Sequence, residues 1–182
     1  CNDPASACGI APGMALSAAR SLLGAGGIIR KRESGLEDAA LARLADWSGK
    51  FTSSLSIVPQ QGLLLEIGAS LRLFGGLQPL LQQVENGLRE LGYQGLTAVA
   101  PTPLGAWLLG RAGDPRPVTD KQALRRRLAA LPLEALELDS QPHKALTGMG
   151  LRCIGDCLAL PPAGLARRLG PGVVEYLQRA LG

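Results

Sequence analysis

From Leu77 to Leu91 the apolar residues Leu80, Leu81, Val84, Leu88 and Leu91 return at three- and four-residue steps, with Gly92 directly behind them. That spacing draws one stripe along a helix that ends at a glycine, and a one-faced helix must lie on an apolar layer. Candidate strands for the layer flank it. Phe51 to Val58 and Leu63 to Ile67 are extended runs joined by a Pro59-Gln60-Gln61-Gly62 turn, which predicts an antiparallel hairpin, and Gln94 to Ala100 predicts a further strand. Upstream, Gly35 to Lys50 repeats Leu36, Ala40, Leu44 and Trp47 at helical steps, and Glu37 and Asp38 suit its positive N-terminal end. Residues 12 to 23 read as a short helix ended by Gly24, Gly26 and Gly27, with Ile28-Ile29-Arg30 a short strand behind it. Pro101 opens a helix over Leu104 to Leu109. One layer of helices on an antiparallel or mixed sheet is the expected α+β architecture, a ferredoxin-like pattern with its first strand apparently missing.

Gly113-Asp-Pro-Arg-Pro-Val118 reads as a boundary. Beyond it Lys121 to Leu131 is a basic helix, and from His143 short helices alternate with glycine turns, so the C-terminal part is expected to be all-helical. The net charge of +4 lies there as well: residues 1 to 110 hold 8 Lys or Arg against 8 Asp or Glu, and residues 111 to 182 hold 11 against 7. A surplus of that kind suits either a polyanion-facing surface or a solvated basic face. Cys1, Cys8, Cys153 and Cys157 are too few and too unevenly placed for a disulfide framework, and the single His143 stands away from both pairs, so no zinc site is expected. Cys153 and Cys157 read as small buried apolar side chains. No run reaches the roughly 18 to 20 apolar residues that span a bilayer, and no signal peptide is recognisable, which gives a cytoplasmic reading. A first residue of Cys1 reads as the start of a fragment.

In this order the pieces resemble a Y-family DNA polymerase, with small helical fingers over 1–27, a ferredoxin-like palm over 28–113 and a helix-hairpin-helix-like thumb over 114–182. The resemblance implies that the little-finger region is absent from this fragment. Active members open their fingers with a segment like Asn-Tyr-Pro-Ala-Arg-Lys-Phe-Gly-Val; here the matching stretch is Asn2-Asp-Pro-Ala-Ser-Ala-Cys-Gly-Ile10, so Asp3, Ser6 and Ala7 stand where triphosphate contacts would be. An anion at Asp3 would repel a triphosphate. In the palm, a Ser-Leu-Asp-Glu-like run supplies a carboxylate pair that helps hold two magnesium ions about 4 Å apart. Gln61 and Gly62 fall on that pair, and a neutral amide and a bare glycine do not replace hard anionic oxygens. A phosphate-binding Lys on the following helix aligns with Trp107. Leu73 to Gly76 and Gly150 to Pro161 are most similar to the ImuB-type, catalytically inactive branch of that family.

The resemblance therefore implies no catalytic residue, no metal and no cofactor. It implies an adaptor in DNA-damage-induced (SOS) mutagenesis and translesion synthesis that works with a C-family error-prone polymerase, a RecA-like accessory protein and the sliding clamp, mostly through regions beyond this segment. Two other readings remain open: an active lesion-bypass polymerase with displaced carboxylates, using Glu66 and an acid upstream of Cys1, and a plain helix-hairpin-helix DNA-binding module. For DNA the candidates are Gly148, Gly150, Arg152 and Gly155 in the hairpin and Arg167 and Arg168 beyond it, where glycine turns would bring backbone N–H groups to phosphates at a helix start. The hairpin could equally be a structural turn with solvated arginines. Trp107 reads as core rather than a base-stacking platform, Glu66 as a strand residue with a polar partner, and Arg125, Arg126 and Arg127 as a solvated helix face.

Overall fold

The computed structural model describes residues 3–182, leaving Cys1 and Asn2 outside, and the Asp3 side chain expected at the triphosphate position is likewise outside the described part. The backbone divides into a first unit ending at Ala40 and a second, Leu41–Gly182.

The first unit holds α1 (Asp3–Ala7) and α2 (Leu16–Leu23). The helix expected from residue 12 starts four residues later, behind Gly13, which has φ +83°. Ile28-Ile29-Arg30 is not a strand: 27–33 is irregular and Ile28 is 81% exposed. None of its described residues is buried. α3 (Ser34–Ser48) spans the division, opened by Arg32, whose Nε donates to Glu37 at 2.8 Å and 3.0 Å.

In the second unit β1 (Leu55–Val58) and β2 (Gly62–Leu65) form the expected antiparallel hairpin in the register Leu55↔Leu65 and Val58↔Gly62. Its turn places Gln60 at φ +60°, and the Gln61 N–H donates to the Val58 carbonyl. α4 (Leu77–Glu90) follows the expected stripe, with Leu80 buried and Leu81, Val84 and Leu88 half-buried. Near it Phe51 is buried, its ring centroid 5.2 Å from Trp47 and 5.6 Å from Phe74. The strand expected over Gln94 to Ala100 is absent, because a strand exists through its ladder bonds and β1 and β2 pair only with each other among the described residues. Leu96 in that stretch is 71% exposed.

The helical part grows out of α5 (Pro103–Arg111), capped by Thr102, whose Oγ1 accepts from the Gly105 N–H at 3.0 Å and donates to the Ala180 carbonyl at 2.6 Å. α6 (Lys121–Ala129) is capped by Asp120. Then come α7 (Ser140–Gly148), α8 (Ile154–Ala159), α9 (Pro162–Leu169) and α10 (Pro171–Leu181), with no strand, as expected. Leu108 and Leu109 of α5 share one core with Leu124, Leu128, Leu146, Ile154, Leu165 and Leu177, so burial runs on across 113/114.

The linker itself is pinned. Asp114 accepts from Arg127 Nε at 2.8 Å and from Arg116 Nε at 3.0 Å, and those guanidinium groups hold its carboxyl far below the usual carboxylate range. The Arg127 side chain is 19% exposed and that of Asp114 16%. Arg125 and Arg126 lie on a solvated face as expected, whereas Arg127 turns inward to this acid.

Candidate functional site

The turn between β1 and β2 faces α5. Gly62 has no side chain, and the Trp107 indole takes the space: a Cβ on Gly62 would lie 3.3 Å from Trp107 Cζ3. Trp107 therefore stays half-buried outside the helical core, a correction to the expectation that it is a core residue. The reason is geometric: Leu108 and Leu109 take the core-facing side of α5, while Trp107 points over the hairpin.

The indole Nε1–H donates to Glu137 Oε2 at 3.2 Å. One helical turn on, Arg111 Nη1 sits 2.6 Å from Glu137 Oε1 and donates to Gln61 Oε1 at 2.9 Å. Gln61, Gly62 and Trp107, singled out separately in the sequence, are thus brought together, with Arg111 and Glu137 completing the set. Glu66 is elsewhere in its bonding: its Oε1 accepts the Gly68 N–H at 2.8 Å, the polar partner expected of a strand-end acid. Among the described residues no three His, Cys, Asp or Glu side chains gather as a metal site would need.

The second candidate is the α7–α8 hairpin. Gly148 ends α7, Gly150 adopts φ +80°, and Arg152 lies exposed just before α8. Arg168, in the last turn of α9, reaches Met149 between the two glycines with Nη1 3.2 Å from Sδ, and Arg167 is exposed on the same turn. Gly155 is different: a Cβ there would stand 2.9 Å from the Ala129 carbonyl oxygen, so its bareness serves the contact of α8 with the end of α6.

The N–H groups at the hairpin exit have partners in the chain. Asp156 Oδ2 accepts from Arg152 N at 2.7 Å and Cys153 N at 3.0 Å, and the Ile154 N–H donates to the Leu131 carbonyl. Those amide bonds hold the Asp156 carboxyl below its ordinary value. Cys157 is buried, as expected, and burial pushes its thiol up; Cys153 is half-buried and precedes α8 as its cap residue.

Arg111, Glu137 and Asp156 escape a reading of the sequence. Asp156 stands three residues after a helix cap, the spacing of a capping box, but with Cys153 where Ser or Thr would give the signal. Glu137 lies 30 residues from Trp107 and meets it only through folding.

No protein-family model matches the chain. Among solved structures, the insertion ternary complex of Dbh DNA polymerase superposes with a TM-score of 0.78 at 16% identity, covering 99% of this chain and 54% of that one. A DinB family error-prone DNA polymerase from Sulfolobus solfataricus gives 0.76 at 17% identity, covering 98% and 55%. The helix-rich chain with its small two-stranded sheet therefore has the fold of the Y-family DNA polymerases. In sequence it is 35% identical over 144 residues to ImuB of Caulobacter vibrioides, in each of two strains, which covers 79% of this chain and 31% of ImuB. The chain is an ImuB-type homologue on that fold, and it spans 31% of the length of the curated relatives it matches.

Proposed function

We propose that this chain is the fingers, palm and thumb part of a non-catalytic polymerase homologue, an adaptor in DNA-damage-induced mutagenesis and translesion synthesis in the cytoplasm. The observation that supports this is the hairpin turn. Where the resemblance puts two carboxylates and a cationic phosphate ligand, the chain has Gln61, Gly62 and Trp107, and the indole occupies the space above Gly62. Two magnesium ions and a triphosphate need hard anionic oxygens and a cation there; an amide, a glycine and an indole offer neither, and the carboxylate and guanidinium beside them, Glu137 and Arg111, are paired with each other.

The scaffold keeps the polymerase shape, so in this reading it binds DNA weakly through Arg152, Arg167 and Arg168 around the α7–α8 hairpin and presents its partners, a C-family error-prone polymerase, a RecA-like accessory protein and a sliding clamp, to the damaged site. Primer extension by the full-length protein with magnesium and all four deoxynucleotides tests it. No extension is expected, together with flat heats when magnesium and nucleotide are titrated into the protein. Measurable templated extension, or saturable nucleotide-dependent metal binding, sinks the reading and favours a polymerase with displaced carboxylates.

A further inference from the structure

We infer that the space above the hairpin turn has become an internal latch, with Arg111 as its positioning residue, tying the β1–β2 hairpin to the helical part without any ligand. Three segments distant in sequence meet there. Gln61 comes from the turn, Trp107 and Arg111 from one side of α5, and Glu137 from the segment before α7. Arg111 is held from both sides, by the Gln61 amide oxygen at 2.9 Å and by the Glu137 carboxylate at 2.6 Å. The other oxygen of that carboxylate takes the indole N–H of Trp107 at 3.2 Å, and the indole lies against Gly62. One carboxylate thus fixes both the cation that grips the turn and the ring that covers it.

The contact set is a closed circuit, which separates it from scattered surface pairs. Without Glu137, Arg111 loses its anion and Trp107 its acceptor in the same step. Tyr176 of α10 stands beside the Glu137 backbone, where burial pushes its phenol up, so the segment carrying Glu137 is backed by the helical core. A two-stranded hairpin is marginal by itself, and the latch supplies an anchor at its turn. The inference stands on these contacts alone, so it and the primer-extension test can fail separately.

The test is hydrogen exchange on the full chain, with a Trp47→Phe background that leaves Trp107 as the sole tryptophan for emission. Glu137→Gln removes the charge and keeps the shape; Gln61→Ala, on an exposed turn, removes the other end without touching the core. Each should speed exchange of the β1–β2 ladder amides by about three- to tenfold, as expected for losing a few half-exposed polar contacts. Amides of α5 and α10 should keep their protection, and Glu137→Gln should shift Trp107 emission to the red. Glu134→Gln, whose carboxylate instead lies 3.9 Å from His143, should change neither readout. Hairpin exchange and Trp107 emission unchanged in both variants would overturn the latch. Equal loss of protection across α5, α10 and the hairpin would also overturn it, by reducing the contacts to general stability.

Discussion

Substitution of Gly62 by valine has a sign that depends on Trp107. In a strand, glycine is a weak choice: it costs backbone entropy and packs nothing, so a β-branched replacement ordinarily gains about 0.5 to 1 kcal/mol. Here the new Cβ would start 3.3 Å from Trp107 Cζ3, tighter than ordinary contact, and the valine methyls would reach further into the ring. The indole cannot step aside freely, because its Nε1–H is bonded to Glu137. Overpacking of this kind costs about 1 to 3 kcal/mol, so Gly62→Val should destabilise the chain by about 1 kcal/mol. In a Trp107→Ala background the obstruction is gone and the same change should stabilise it by about 0.5 kcal/mol or more. Urea unfolding of the four proteins in the cycle gives the coupling directly, about 1.5 kcal/mol or more, against the few tenths shown by independent sites. Equal effects of Gly62→Val in the two backgrounds, or a stabilised single variant, would refute the placement of the indole on the turn.

Asp114→Asn removes the anion shared by Arg116 and Arg127 in the linker; with side chains only 16% and 19% exposed at the Asp114–Arg127 pair, the loss should be about 2 kcal/mol, or roughly 4 to 8 °C in melting temperature for a chain of this size. Because the native carboxyl titrates below its unfolded value, its stabilisation is fully present above about pH 4 and fades as pH falls toward the native value, so the gap between wild type and Asp114→Asn should close in acid. A gap that widens below pH 4 would contradict the pairing. Asp156→Asn should speed exchange of the Arg152 and Cys153 amides and, by removing an anion between Arg152 and the start of α8, tighten binding of a short DNA duplex at low salt; unchanged anisotropy titrations together with unchanged exchange would show that this carboxylate does not govern the hairpin.

The elements that the sequence announces are those whose signal is local. α4 carries its stripe within its own length and stops just before Gly92, which has φ +79°. The hairpin is equally legible, since apolar runs flank a Pro-Gln-Gln-Gly turn short enough to fold back. Ile28 to Arg30 and Gln94 to Ala100 fail for a physical reason: β-propensity describes a residue's readiness to pair, while pairing needs a neighbour, and Ile28 and Leu96 are left mostly exposed. The site divides in the same way. Gln61, Gly62 and Trp107 are legible because each can be set against a motif of the family the sequence resembles. That Trp107 bonds Glu137 instead of entering the core is decided by which side of α5 the Leu108 and Leu109 pair claims. Arg127 likewise reads as part of a solvated basic run until the fold supplies Asp114 thirteen residues upstream.

These pairings also change what the basic surplus can do. Of the 11 Lys and Arg in residues 111 to 182, Arg111, Arg116 and Arg127 are committed to Glu137 and Asp114, and Lys121 Nζ donates to the Gly182 carbonyl. Arg125 and Arg126 are exposed on α6, Arg125 beside Cys157 and Leu158 of α8, and Arg179 lies in the last turn of α10. What remains for a polyanion near the α7–α8 turn is Arg152, Arg167 and Arg168, with Lys144 exposed on α7, against the Asp156 carboxylate at the helix start. Three or four cations neutralise about as many phosphates, whereas duplex binders of high salt sensitivity make on the order of six to ten such contacts. The fold has thus used Arg111, Arg116 and Arg127 to fasten itself together, which leaves few uncommitted cations beside the α7–α8 turn.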